Sequence, residues 1–397
     1  MAGFTYYTPT KVVFGKDTES ETGRLVKEQG ANKVLLHYGS GSVKRSGLLE
    51  RIKMALEEEG IAYVELGGVV PNPRLSLVYD GIELAKKESV DFILAVGGGS
   101  VIDSAKAIGY GAANEGDVWD FYDRKRTIQA CVPIGVVLTI AATGSEMSDS
   151  SVITKEEGCM KRGCNSAYGR PVFAVMNPEL TMTLPDYQTA CGCADILMHT
   201  MERYFTNGDK MEITDSIAEA LMRTVMKNAK ILVCDPNDYT ARAEIMWAGS
   251  LSHNGLTGCG NSERDFATHA LEHEIGGMFD VAHGAGLTAL WGSWARYVYK
   301  DCLHRFYQFA VNVMGVQAAS EDAEGQHRAV ALKGIEAMEQ FFQEIHMPIS
   351  MKELGIEPNE AQIAELARKC SIASGGKKGS AKVLLEEDMK KIYEMAR

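Results

Sequence analysis

At 397 residues the chain is longer than one hydrophobic core ordinarily organises, so two domains are expected. Its 45% hydrophobic and 24% charged content is that of a globular protein, and a formal net charge of −12 excludes the basic footprint that a nucleic acid or an anionic membrane surface demands. Nine cysteines, an odd number without paired C-x-x-C units, exclude a disulfide framework and a structural zinc site, and fit reduced thiols in a cytoplasm.

The start, "MAGFTYYTPTKVVFG", lacks a charged region followed by an apolar run, so it does not read as a secretory signal. Its strand is either an ordinary sheet edge or a place where subunits pair. "KVLLHYG" (Lys33 to Gly39) is a short β-type run ending in glycine. "LLERIKMALEEEG" (Leu48 to Gly60) has apolar residues at helical spacing and stops at glycine. "AYVEL" is a strand, "RLSLVYDGIELAKKESV" a helix, "DFILAVGGGS" a strand entering a glycine turn, and "SVIDSAKAIGYGAA" the next helix. The longest apolar stretch, "ACVPIGVVLTIAA" (Ala130 to Ala142), is too short to span a bilayer and reads as a buried strand. Strand–helix alternation implies a parallel sheet with right-handed crossovers, which binds ligands beyond the carboxyl ends of its strands. Beyond "NPELTMTLPD" (Asn177 to Asp186) the segments are helical, as in "DSIAEALMRTVMKNAKILV" and "HRAVALKGIEAMEQFFQEIH". The expected division is an α/β dinucleotide-binding domain over 1–185 and a helical metal-binding domain over 186–397.

Two glycine turns carry chemistry. In "AVGGGSVIDSAK", Gly97, Gly98 and Gly99 let a phosphate approach the main-chain N–H groups, and Ser100 is placed to cap the following helix. The expected ligand is a pyrophosphate, although the turn is neither G-x-G-x-x-G nor a P-loop. In "HYGSGSVKRSG", Gly39, Ser40, Gly41 and Ser42 precede Lys44 and Arg45, where an NAD site would offer an acidic residue to the ribose 2′-hydroxyl. Small, hydroxylated and cationic residues tolerate a 2′-phosphate, so NADP(H) is favoured over NAD(H).

Three of the nine histidines fall in "DFATHALEHEIGGMFDVAHGAGL". His269 and His273, at i and i+4, share a helix face, and the glycines of "GGMFDVA" can break the helix and return the chain to bring in His283. Upstream, "ADILMHTME" sets Asp195 and His199 at the same spacing on another helix. Imidazoles with one carboxylate suit Fe(II) or Zn(II). His253, His37, His304, His327 and His346 read as ordinary histidines. "HALEH" also meets the inverted H-x-x-E-H motif through His269, Glu272 and His273, so a metallopeptidase is the alternative from another class.

Together, "GGGSVIDSAKAI", "TGSEM", "NPELTMTLP", "ADILMHTMERYF" and "ATHALEHEIGGMFDVAHGAGL" resemble the iron-containing (group III) alcohol dehydrogenases, particularly their butanol-dehydrogenase-like branch, over nearly the whole chain. The resemblance implies a Rossmann-like parallel-sheet domain plus an all-α domain (the dehydroquinate synthase-like architecture), with the active-site cleft between them. It implies Asp195, His199, His269 and His283 as metal ligands, with iron favoured over zinc, and His273 near the substrate as the proton-transfer group. Gly97, Gly98, Gly99 and Ser100 match the family's pyrophosphate turn, and Asp103 a residue on its nicotinamide side. Thr139, Thr143 and Ser145 match a second cofactor-contacting strand end. Lys161, in the atypical context "EEGCMKRGC", matches a lysine at the nicotinamide ribose. The implied reaction is reversible hydride transfer between a nicotinamide and a primary alcohol/aldehyde pair by a cytoplasmic homodimer. A diol or polyol dehydrogenase and a dehydroquinate synthase-like lyase are the alternatives on the same scaffold. Cys259, close to the expected site, reads as an inert thiol.

Overall fold

The computed structural model describes residues 1–208, 210–319 and 323–397. They form two compact units, one spanning Tyr7–Leu184 and the other joining Met1–Tyr6 to Pro185–Arg397. The first six residues, which the sequence reading assigned to the α/β domain, therefore belong with the helical unit; Ala2 N donates to the Gly260 carbonyl at 2.8 Å.

The α/β unit runs β1 (Lys11–Phe14), α1 (Thr22–Glu28), β2 (Lys33–Gly39), α2 (Ser42–Arg45), α3 (Leu48–Glu58), β3 (Ala62–Val69), α4 (Leu75–Lys87), β4 (Phe92–Gly97), α5 (Gly99–Ala113), α6 (Trp119–Tyr122), β5 (Ile134–Leu138), β6 (Ser150–Lys155), β7 (Met160–Asn165) and β8 (Phe173–Met176). Six strands form one parallel sheet in the order β1-β8-β5-β4-β2-β3. Strands β4 and β5 are buried along their whole length, as expected where helices cover both faces of a parallel sheet. Phe92 and Phe173 stack at 5.8 Å between ring centroids, and the room for Phe173 comes from Gly135, whose Cβ would lie 2.3 Å from that ring. After β2 the chain goes outward to β3 and then crosses to β4 on the other side. This reversal makes the β2/β4 boundary the topological switch point of the sheet.

The antiparallel pair β6–β7 has no counterpart in the sequence reading. Its residues, "SSVITKEEGCMKRGCN", are too polar and too weakly alternating to signal strands, and Gly158 and Cys159 turn the chain with positive φ.

The helical unit comprises α7 (Asp186–Tyr204), α8 (Glu212–Cys234), α9 (Tyr239–His253), α10 (Ala267–Phe279), α11 (His283–Val298), α12 (Leu303–Asn312), α13 (Glu324–Glu344), α14 (Glu360–Ala373) and α15 (Glu386–Ala396). Pro185 stands immediately before α7, where a missing N–H costs nothing. Its core is aromatic: Phe205 stacks on Phe306 at 4.3 Å, with Trp291, Trp294, Phe309 and Phe342 fully buried around them. Each such side chain stabilises the unit by roughly 1.5–3 kcal/mol.

One expectation about this unit is corrected. Gly276 and Gly277 do not break α10; the helix continues through both to Phe279. It ends because Asp280 adopts the left-handed conformation, φ 54°, and donates its N–H back to the Gly276 carbonyl. His283 then opens α11, which packs closely on α7: a Cβ on Gly284 would sit 2.1 Å from the Cys191 carbonyl oxygen. Among the described residues, no helix is long and apolar enough to cross a membrane.

Candidate functional site

Helix α7 presents Asp195 and His199 one turn apart, and the first turn of α10 presents His269. One oxygen, Asp195 Oδ1, is their meeting point. His199 Nδ1 and His269 Nε2 each lie 3.5 Å from it, and His283 Nε2, from the first residue of α11, lies 3.7 Å away. Ligand atoms bonded at about 2.1 Å around a tetrahedral centre stand about 3.4 Å apart, so this spacing suits a divalent cation. Asp195, His199 and His269 are buried, and Asp195 Oδ1, His199 Nδ1 and His269 Nε2 have no hydrogen-bond partner among the described residues. Buried polar atoms are otherwise almost always satisfied. Three such atoms, each able to ligate, within 4.8 Å of one another fit a metal ion, which would take the place of the proton on His269 Nε2.

The opposite nitrogens of two of these rings are engaged. His269 Nδ1 contacts Glu202 and His283 Nδ1 contacts Glu272, through the Oε2 atom in each case. Burial disfavours the His269 imidazolium, but the Glu202 carboxylate and Asp195 outweigh it and hold the group up at about 9. His199 is pushed well below its ordinary range, by burial first and then by His253, His269 and the Arg203 guanidinium. That guanidinium donates to the His199 and Ser252 carbonyls at 2.6 and 3.2 Å and to His253 Nδ1 at 3.3 Å.

Two residues sort differently from the sequence reading. His253, expected to be an ordinary helix histidine, packs its ring edge-on against His199 at 3.9 Å between centroids, a position that its "SHNGL" context does not signal. Glu272, the would-be base of an inverted zinc-peptidase motif, is buried against His283 instead. His273 is half-buried, its ring 6.0 Å from that of His283 and outside the unpartnered cluster. Cys259 lies half-buried, its thiol pushed up by burial and directed at the Gly255 carbonyl.

In the α/β unit, the three predicted turns end three adjacent strands. Gly39 closes β2, Gly97 closes β4, and Thr139 follows β5, donating its N–H to the Gly97 carbonyl at 3.0 Å. Gly39 and Gly97 thus flank the switch point. Ser40, Ser42 and Lys44 are exposed, Gly41 half-buried, and Lys44 Nζ lies 5.0 Å over the Tyr38 ring. The glycine triplet is there for close approach rather than for unusual backbone: Cβ atoms on Gly97, Gly98 and Gly99 would meet Val101 at 2.5 Å, Ile140 at 2.9 Å and Thr143 at 2.4 Å. Gly98, not Ser100, occupies the cap position of α5; Ser100 lies inside its first turn, because the helix begins at Gly99.

A buried ammonium organises the third turn. Lys106 Nζ donates to the carbonyls of Ser145, Ser148 and Ser150 at 2.8, 3.0 and 2.7 Å and to Ser145 Oγ at 2.8 Å. Burial lowers its pKa to about 8. Ser145 Oγ donates in turn to Asp103 Oδ1 at 2.6 Å, while Asp103 Oδ2 accepts the Val152 N–H at 2.9 Å. Thr143 Oγ1 accepts the Ser145 N–H at 3.1 Å. Asp103, Thr143 and Ser145 therefore form one network. Lys161 is buried on β7, opposite Thr154 of β6.

Residues 9–178 match the iron-containing alcohol dehydrogenases, and residues 189–397 match the C-terminal part of the Fe-containing alcohol dehydrogenase family. The chain belongs to this family. It is 39% identical to the NADH-dependent butanol dehydrogenase A of Clostridium acetobutylicum over 395 residues, 99% of each chain. It is 33% identical to the NADPH-dependent aldehyde reductase YqhD of Escherichia coli over 406 residues, 100% of each. The crystal structure of NADH-dependent butanol dehydrogenase A from Thermotoga maritima superposes with a TM-score of 0.94 at 38% identity, covering 100% of this chain and 99% of that one. The protein is accordingly an NAD(P)-linked alcohol dehydrogenase or aldehyde reductase that works with a metal and a nicotinamide.

Proposed function

We propose that the chain interconverts a short primary alcohol, butanol-like in size, and its aldehyde. In this reading Asp195, His199, His269 and His283 hold Fe(II) in preference to Zn(II), and NADP(H) is preferred over NAD(H). The observation that carries the proposal is the set of unpartnered buried atoms on Asp195, His199 and His269. When bound, the metal supplies Lewis acidity toward the substrate oxygen, and the nicotinamide supplies or accepts the hydride. The chain's own residues bind, orient and move protons. Glu202 and Glu272 fix two of the imidazoles, and the half-buried His273 passes the hydroxyl proton between its ring nitrogen and water. No side-chain nucleophile is required. Gly97, Gly98, Gly99 and Ser100 would hold the pyrophosphate, and Asp103, Thr139, Thr143, Ser145 and Lys161 would serve the nicotinamide side. Gly39, Ser40, Gly41, Ser42 and Lys44, a stretch without a carboxylate, would hold the 2′-phosphate.

The homodimer belongs to the same reading. Among the described residues strand β1 lies at the sheet edge beside β8, and Phe14 on it and Tyr7 before it are exposed, which suits strand pairing with a second copy. A cytoplasmic location accords with nine free cysteines. The test is oxidation of NADPH and of NADH by butanal, before and after chelation and after reloading with iron or zinc. Activity lost on chelation, restored by iron and higher with NADPH supports the reading; chelator-resistant turnover overturns it.

A further inference from the structure

The two carboxylates behind the ligand rings differ in what they hold. Glu272 Oε2 meets His283 Nδ1. Glu202 uses both oxygens: Oε2 meets His269 Nδ1, and Oε1 accepts the backbone N–H of the same residue at 3.1 Å. His269 is the third residue of α10, so this N–H is one of the donors left over at a helix start. The residue at the cap position, Phe266, has a left-handed backbone, φ 51°, and no side-chain cap. Asp265 accepts the first N–H of the helix, from Ala267, at 3.0 Å, and Glu202 serves the third from another helix. Space for the second carboxylate is also provided: a Cβ on Gly286 would lie 2.9 Å from Glu272 Cγ.

We propose that Glu202 and Glu272 are positioning residues for metal retention, each aiming one imidazole Nε2 at Asp195 Oδ1, and that Glu202 is also the missing cap of α10. The inference rests on the metal reading above. An imidazole that donates from Nδ1 to a carboxylate keeps its Nε2 lone pair for the cation. The count of acceptors makes the two sites behave differently. A glutamine offers one acceptor oxygen, enough for the His283 contact of Glu272 but not for the two contacts that Glu202 makes to His269.

The experiment uses the full chain stripped of metal. Zn(II) affinity is measured by competition with a chromogenic chelator, and thermal unfolding of the stripped protein is followed in parallel. Glu272→Ala should weaken Zn(II) binding about tenfold to a hundredfold, whereas Glu272→Gln should stay within about threefold of the parent. Glu202→Gln should lose about tenfold or more and also melt at lower temperature without metal, because a helix cap is lost with the ring contact. If Glu272→Ala binds as the parent does, or if Glu272→Gln loses as much as Glu272→Ala, the proposal is wrong. That pair decides even if the Glu202 variants fail to fold. A parent chain that does not bind Zn(II) overturns the metal reading itself, an outcome distinct from equal binding by parent and variants.

Discussion

The ammonium of Lys106 and the main chain of Ser145 are bound to each other 39 residues apart, at 2.8 Å, in a site without solvent access. Lys106→Met keeps most of the volume but leaves the carbonyls of Ser145, Ser148 and Ser150 without that donor. Each unsatisfied group costs about 1–3 kcal/mol, so a fall of at least about 2 kcal/mol in unfolding free energy is expected. The KM for the nicotinamide should rise while Zn(II) affinity is unchanged. Denaturant unfolding, cofactor titration and metal titration check the three parts.

His269→Ala should abolish metal retention and turnover together, since it removes one of the three unpartnered ligand atoms. Elemental analysis of the purified variant and butanal reduction are the measurements. Full activity in a metal-free variant would refute the ligand assignment.

A carboxylate at the end of β2 should redirect cofactor choice. A Cβ on Gly39 would lie 3.6 Å from the Val69 carbonyl oxygen, an ordinary contact, so Gly39→Asp fits. Repulsion of the 2′-phosphate and a new partner for the 2′-hydroxyl should raise the NADH-to-NADPH ratio of kcat/KM by at least tenfold, about 1.4 kcal/mol. An unchanged ratio would place the 2′ position elsewhere.

Gly284→Ala tests how closely α11 must approach α7. The new methyl would meet the Cys191 carbonyl at 2.1 Å, so the helix must shift. Overpacking of this kind costs about 1–3 kcal/mol, and the shift carries His283 away from Asp195. Lower melting temperature and weaker Zn(II) binding should appear together.

Stability should also record the state of His37. Burial lowers its pKa from 6.5 to about 4, against the opposing hydrogen bond to the Leu66 carbonyl. Between those values the unfolded chain binds a proton that the folded chain refuses. The contribution of His37 is therefore complete above pH 6.5 and lost as pH falls toward 4, by up to about 3 kcal/mol. His37→Gln should flatten the pH dependence of unfolding in that window, measured as the difference between parent and variant.

The parallel sheet was legible because its strands are continuous apolar runs ending in glycine, as in "DFILAVGGG", and the pairing of Asp195 with His199 because i, i+4 spacing survives in a linear string. The β6–β7 hairpin was not legible, since its residues are polar and its course depends on Asp103 and Lys106 holding Val152, Ser148 and Ser150 from another helix. Nor could spacing alone reveal that Glu202 and Glu272 face histidines: the first partner is 67 residues away, and the second lies beyond a helix end set by Asp280 rather than by the glycines. His253 was missed for the same reason, because its neighbour His199 lies on a different helix.

Asp195, His199 and Glu202 lie on one face of α7, so a single helix fixes two of the proposed ligands and the brace of a third. Each residue added to or removed from an α-helix turns everything beyond it by about 100°. One residue inserted or deleted between these three would swing Glu202 to another side of the helix while leaving every amino acid of the centre in the sequence. Within this stretch the number of residues carries as much of the site's geometry as their identity.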